Sequence, residues 1–525
     1  MLTRVRLSRL LVSFLAGLLL VGAAVASPAS AGDGYRPTYQ EVKCNQGLFK
    51  GRIPGKLHAE CGFLTVKEDR LEPVSADNTV VLPVVIIPAR TKAPEPDPLV
   101  MLAGGPGDGG IDAFLASGLS EYPLLELAAN RDVILLDQRG TGDAEPGLYC
   151  PEVYEAFHAV YEATDSIGDE LEVVHDAYKV CIDRLRDEGV DVNMYNNYHS
   201  AKDLRDLRRA LGIEQWNVYG QSYGTMLALE LMRQEPWRLR SAILDSSLPP
   251  YSQGGLTLDA VADVKSAFAD DEAYFDYAGD FGMPLEKMAE AARQRYNTEP
   301  FAFDVTDYLT GATRTWTLTG DDAVGQLSSA LGGTSLLPAL GLAAANLAFY
   351  DTDTGDPAEL DLTPYFGVET TWELYEGFYN PYNVSKAWGQ FTSTYCADVG
   401  RITEEVDLEQ LIADEPLYSS AMGGVDTPYL PELCPMLDIR PSPWFTNVVL
   451  PTIVPTLLTN GGLDTWGTSA EVGAELADRL GPRAQHVVFP GIAHITLGTD
   501  ECTNKVAIDF VESPRQPVDA TCIGG

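Results

Sequence analysis

The chain has 525 residues, 45% of them hydrophobic and 21% charged, with 48 Gly and 34 Pro. These proportions suit a globular protein and exclude a disordered, collagen-like or multi-span membrane chain. With 36 basic and 76 acidic residues the net charge is -40; a surface that acidic repels nucleic acid phosphates and anionic lipid headgroups.

Residues 1–31 read as an export signal. Arg4, Arg6 and Arg9 precede an apolar run, Leu10 to Val25, and Ala29-Ser30-Ala31 offers an A-x-A cleavage site before Gly32. The run falls short of the roughly 20 apolar residues that a spanning helix needs. There is no nearby Cys to carry a lipid and no twin-Arg pair, so general export without later membrane insertion is expected. The eight Cys agree, because an even count in an exported chain implies disulfides. Neighbour pairing is the simplest arrangement: Cys44 with Cys61, Cys150 with Cys181, Cys396 with Cys434, Cys502 with Cys522. No C-x-x-C or clustered Cys/His spacing calls for zinc or another metal.

From Leu64 to Pro88 the pattern is strand-rich. Short apolar runs follow at Leu99–Leu102, Val133–Leu136, Trp216–Tyr219 and Ala242–Leu244, with a helical pattern from Lys202 to Leu211. Strands that are apolar throughout and alternate with helices imply a mostly parallel sheet covered on both faces. After Asp245 the alternation stops. Residues 251–445 read as helices and loops, with 8 basic and 32 acidic residues. It resumes with the strand Thr456–Thr459, a helix over Ser469–Leu480 and the strand His486–Phe489. The predicted architecture is an α/β-hydrolase fold: a core over 32–250, a mainly helical lid over 251–445 inserted after the sixth strand, and a core closed by 446–525.

The central motif is Gly220-Gln221-Ser222-Tyr223-Gly224, a G-x-S-x-G between a strand and a helical run, Thr225 to Met232. That is the setting of a nucleophile elbow. The turn needs small flanking residues and presents Ser222 at a helix N-terminus, where backbone N–H groups favour developing negative charge. A serine hydroxyl needs a base held by an acid, and in this fold both follow the serine. His494, in the loop beyond the last strand, is the expected base; His486 opens that strand and reads as structural. Asp464 is the expected acid, with Asp245 its rival at the end of the strand after the elbow. The oxyanion donors are predicted to be the backbone N–H groups of Tyr223 and Gly105. Gly105-x-Gly107-x-x-Gly110 with Asp137 imitates a dinucleotide fingerprint, but Pro106 in the turn and the strands before it argue against a cofactor.

Together Gly104-Gly105-Pro106-Gly107, Asp137-Gln138-Arg139-Gly140-Thr141-Gly142 and the elbow resemble the α/β-hydrolase serine exopeptidases, which include prolyl aminopeptidases and secreted bacterial tripeptidyl aminopeptidases. Cys61 to Val66, Asp203 to Arg208 and Ala210-Leu211-Gly212 resemble the secreted branch. The sequence departs from the family pattern at Ala103, at Thr465-Trp466-Gly467-Thr468 and at Ala493. The resemblance implies removal of residues from peptide N-termini without a cofactor, with lid carboxylates, here Glu376 or Asp398, binding the substrate ammonium. The leader and the cysteines imply secretion, a lid that limits access favours short peptides or small esters over folded proteins, and a monomer is expected. A secreted esterase or lipase with the same triad, and a catalytically silent binding protein, are the alternatives.

Overall fold

A computed structural model of the chain describes residues 36–54, 57–70, 78–115, 124–163, 167–251, 258–306, 313–331, 344, 348, 386–400, 406–422, 429–464 and 467–523. The leader and Glu376 lie outside the described residues.

Nine strands form the main sheet. Before the insertion come β1 (Thr38–Val42), β2 (Glu60–Lys67), β3 (Thr79–Ile87), β4 (Leu99–Leu102), β5 (Val133–Leu136), β6 (Trp216–Gln221) and β7 (Leu239–Asp245). Within the insertion β8 (Phe301–Thr306) and β9 (Thr313–Leu318) make a separate antiparallel hairpin. The sheet closes with β10 (Thr456–Gly461) and β11 (Ala484–Phe489). The order is β1-β2-β3-β5-β4-β6-β7-β10-β11; β1, β2 and β3 pair antiparallel, as do β3 and β5, and the rest of the sheet is parallel.

Two sequence expectations need correction. The insertion follows the seventh strand, because β1, a mixed-polarity edge strand with no apolar run, gives little signal. The inserted region is also not only helices and loops: Phe301–Thr306 and Thr313–Leu318 alternate with the period of two that a hairpin needs.

The strands β4 to β6 are buried throughout, as expected of parallel strands covered on both faces. Leu99 and Met101 join a core with Phe114, Val506 and Phe510, from helices Gly110–Leu115 and Glu501–Glu512. The alternate residues Val100 and Leu102 are equally buried and point to the opposite face. A second core joins helices Pro151–Tyr161 and Ile167–Asp187, which lie between β5 and β6, to the insertion: Phe157, Tyr178, Phe268, Met288, Val324 and Trp388 share one cluster. The insertion therefore packs on residues that precede the elbow. No helix among the described residues is long and apolar enough to cross a membrane.

The disulfides follow the neighbour pairing, with Cα–Cα separations of 5.2 to 5.7 Å. Bridges of this kind persist in oxidising compartments, which fits an extracellular or envelope protein.

Candidate active site

The candidate residues gather at the carboxyl ends of the parallel strands, where open α/β sheets place their ligands. At the end of β6, Ser222 has φ 51° and ψ -126° and caps the helix Tyr223–Gln234. A non-glycine residue held there costs about 1–3 kcal/mol and persists only where its surroundings enforce it. The enforcing geometry is a close approach of backbones. A Cβ on Gly220 would stand 2.4 Å from the Gly224 carbonyl oxygen, and one on Gly224 would stand 2.3 Å from that of Leu102. The Ser222 N–H donates to the Asp245 carbonyl at 2.9 Å.

The loop after β4 runs beside the serine: a Cβ on Gly104 would lie 3.2 Å from Ser222 Cβ and 3.7 Å from its Oγ. Gly105 has φ 102°, a left-handed conformation that glycine adopts without penalty. The Gly107 carbonyl accepts the Ala387 N–H at 2.9 Å, so the insertion touches this loop directly.

His494 and Asp464 meet. His494 Nδ1 lies 3.1 Å from both Oδ1 and Oδ2 of Asp464, and both side chains are buried. Burial alone would raise the Asp464 pKa; the charge of His494 and hydrogen bonds from His494, Ser246 and Thr468 outweigh it and hold the carboxyl below its ordinary value. The contact depends on Gly461, where a Cβ would stand 2.1 Å from the Ala493 carbonyl oxygen. Thr468 Oγ1 is also 3.1 Å from His494 Nδ1. Sequence reasoning noted Thr468 only as part of a departure from the family pattern and missed this contact; the signal available was a hydroxyl four residues after the acid.

The rival residues have other work. Asp245 is fully buried and accepts from Thr459 Oγ1, Thr496 N–H and Thr496 Oγ1 on Oδ1, and from the Tyr219 hydroxyl and Leu497 N–H on Oδ2, at 2.7 to 3.0 Å. Ser246 Oγ accepts the Ile495 N–H at 2.8 Å. Asp245 and Ser246 thus tie the serine turn to the loop that carries His494. His486 Nε2 lies 3.1 Å from Asn460 Oδ1, away from Asp464.

Asp137 turns inward. It accepts the N–H groups of Ile111 and Asp143, each at 2.9 Å, and its pKa is pushed up to about 7, chiefly by burial. It joins the loop after β4 to the loop after β5. Arg139 is fully buried, donates twice to Asp203 at 2.7 and 2.8 Å, and caps the Glu68, Met194 and Lys67 carbonyls. That motif is scaffolding.

Asp398 ends the helix Trp388–Asp398. It is buried, accepts the Asn197 N–H at 2.9 Å, and its pKa is raised to about 6, chiefly by burial. Among the described residues the one cluster with metal-ligand spacing is Cys150, Glu152 and Cys181, whose thiols are consumed in a disulfide.

Residues 97–500 match the family model described as the alpha/beta hydrolase fold; the chain belongs to that family. It is 27% identical over 267 residues to the serine protease Hip1 of Mycobacterium tuberculosis, covering 49% of this chain and 48% of Hip1. It is 26% identical over 198 residues to a tripeptidyl aminopeptidase of Streptomyces coelicolor, covering 36% of this chain and 35% of that protein. The chain thus spans about half the length of the one and a third of the other. A solved proline iminopeptidase from Mycobacterium smegmatis aligns over 83% of this chain and 96% of its own, at 16% identity and a TM-score of 0.37. The chain is thus a member of the alpha/beta hydrolase fold family with serine peptidases among its relatives.

Proposed function

We propose that the chain is an exported serine aminopeptidase that releases an amino acid or short peptide from a free peptide N-terminus. The observation that carries this reading is the linked geometry of the strained Ser222 turn, the Asp245–Ser246 tie and the His494–Asp464 contact. Peptidase activity is further supported by the serine protease and tripeptidyl aminopeptidase relatives, and export by the leader pattern and four disulfides.

In this mechanism Ser222 Oγ attacks the scissile carbonyl while His494 Nε2 takes its proton. Asp464 accepts from Nδ1, fixing the ring's tautomer and stabilising the imidazolium. The Tyr223 and Gly105 N–H groups bind the oxyanion. His494 protonates the leaving amine, and water then hydrolyses the acyl-enzyme by the same steps. Asp398, and Glu376 with it, are the lid carboxylates proposed to receive the substrate ammonium; pairing there fixes the distance from the N-terminus to Ser222.

The test is a matched panel of aminoacyl and tripeptidyl arylamides, each with a free and an N-acetylated amine, beside a short-chain ester, with Ser222→Ala as control. Cleavage confined to free-amine substrates and lost in the variant is expected. Fast ester cleavage indifferent to N-acetylation would overturn the aminopeptidase reading and leave a serine esterase.

A further inference from the structure

We propose that Asp108 receives a cationic group of the substrate beside the scissile carbonyl and so sets the requirement for a charged amine; this rests on the serine aminopeptidase reading above. Its position is the first argument. Asp108 follows Gly107 in the loop that flanks Ser222, and a Cβ on Gly105, the expected oxyanion donor, would stand 3.2 Å from the Asp108 carboxyl carbon.

Its lack of partners is the second. Asp137, Asp203, Asp245 and Asp464 each accept hydrogen bonds, whereas among the described residues none reaches the Asp108 carboxylate. It is partly exposed, yet enclosed deeply enough that burial raises its pKa, with the Lys386 ammonium opposing that rise. Lys386 is directed elsewhere: Nζ is 4.4 Å from the Trp388 ring centroid and 5.1 Å from that of Phe391. Its backbone is held by the Tyr154 hydroxyl, which donates to the Lys386 carbonyl at 3.0 Å.

The third argument is electrostatic. A negative charge beside the oxyanion opposes the charge that develops in the transition state, most strongly where water is excluded. A substrate ammonium cancels that charge. Asp108 therefore favours cationic substrates and penalises neutral ones, and discrimination that combines attraction with repulsion is stronger than either alone. That ammonium is the α-amine of the free N-terminus, which Asp108 shares with the lid carboxylates Asp398 and Glu376.

The experiment measures kcat/KM of the full-length enzyme and its Asp108→Asn variant on alanyl arylamide, N-acetylalanyl arylamide, N-acetyllysyl arylamide and a butyrate ester. Labelling by a fluorophosphonate reports that Ser222 remains reactive. Loss of one charge-assisted hydrogen bond predicts a roughly 10- to 100-fold fall for the cationic substrate, together with faster ester cleavage. A collapse of the alanyl preference over its acetylated form assigns the α-amine to Asp108, and a fall confined to the acetyllysyl arm, which has no free α-amine, overturns that assignment. Asp108→Glu, which keeps the charge, restores the preference, and Lys386→Met, which removes the competing cation, enlarges it.

An equal fall on all four substrates with weakened labelling, or an amine preference unchanged in Asp108→Asn, overturns the proposal and leaves an aminopeptidase reading intact. A wild-type enzyme indifferent to N-acetylation overturns the aminopeptidase reading itself, and the Asp108 assignment with it.

Discussion

The ends of β7, β10 and β11 treat their carboxylates differently from the loop after β4. At the first, Asp245 accepts from five donors and Asp464 is held by a histidine and two hydroxyls. At the second, Asp108 has a cation nearby but accepts no hydrogen bond among the described residues. A buried carboxylate whose oxygens are fully used is committed to architecture, since any ligand must compete with bonds already made. One left with spare capacity at a cleft is available to a ligand. Burial and sequence position alone do not distinguish the two.

The largest effect that tests this contrast belongs to the committed acid. Asp464→Asn is expected to lower kcat about 10⁴-fold, because the amide cannot hold the imidazole in its productive tautomer. Single-turnover acylation in the variant checks this, and a loss below tenfold would remove Asp464 from the charge-bearing role. Asp203→Asn comes next, as a stability effect. It leaves the buried Arg139 and Arg70 guanidinia short of their counter-charge, and breaking such a pair costs about 3–5 kcal/mol.

That cost depends on pH. Burial would raise the Asp203 pKa, but Arg139 and Arg70 hold it below the ordinary value. A depressed folded-state pKa gives stability that is complete above the unfolded value of about 3.9 and is lost as pH falls through the folded one. Denaturant curves of wild type and Asp203→Asn should therefore differ most near neutrality and converge in strong acid. A gap constant with pH would mean that packing, not charge, accounts for the loss.

Asp245→Asn should come third, with roughly a 100-fold fall in kcat/KM. An amide accepts on one side only, so the Tyr219 hydroxyl or the threonine loop loses its acceptor and the His494 loop loosens. A full loss of serine labelling would instead make Asp245 the working acid. Thr468→Val should be smallest, several-fold in kcat at near-native stability, as expected for one hydroxyl supporting a carboxylate that keeps its main partner.

Much of the site was legible because its chemistry constrains its neighbours. Ser222 stood between glycines, with an apolar strand before it and a helical run after it, and Asp464 and His494 each followed a strand in the fold's order. The choice of Asp464 over Asp245 rested on its place just past the penultimate strand, since both lie between Ser222 and His494 in the chain; which carboxylate oxygens are already occupied is a three-dimensional property that the sequence does not show. Asp108 escaped notice among many acidic residues, although one charge in a glycine-rich loop was a usable signal. Arg139 read as part of a family motif, and only its buried bonds to Asp203 reveal a scaffold role. In the insertion, acidity drew attention away from the period-two alternation at Phe301–Thr306 and Thr313–Leu318.

The pairing of β7 with β10, with Ala242 opposite Thr456, has a further consequence. The insertion leaves and re-enters the sheet at adjacent strands, so the chain between them is a closed excursion rather than a bridge between distant points. Closing such a loop costs little more as it lengthens, about 0.6 kcal/mol per doubling. Its outward-facing loops can therefore change length at little cost, whereas the residues that share a core with Phe157 and Tyr178, and the Gly107–Ala387 contact, must stay for the candidate centre to keep its framework.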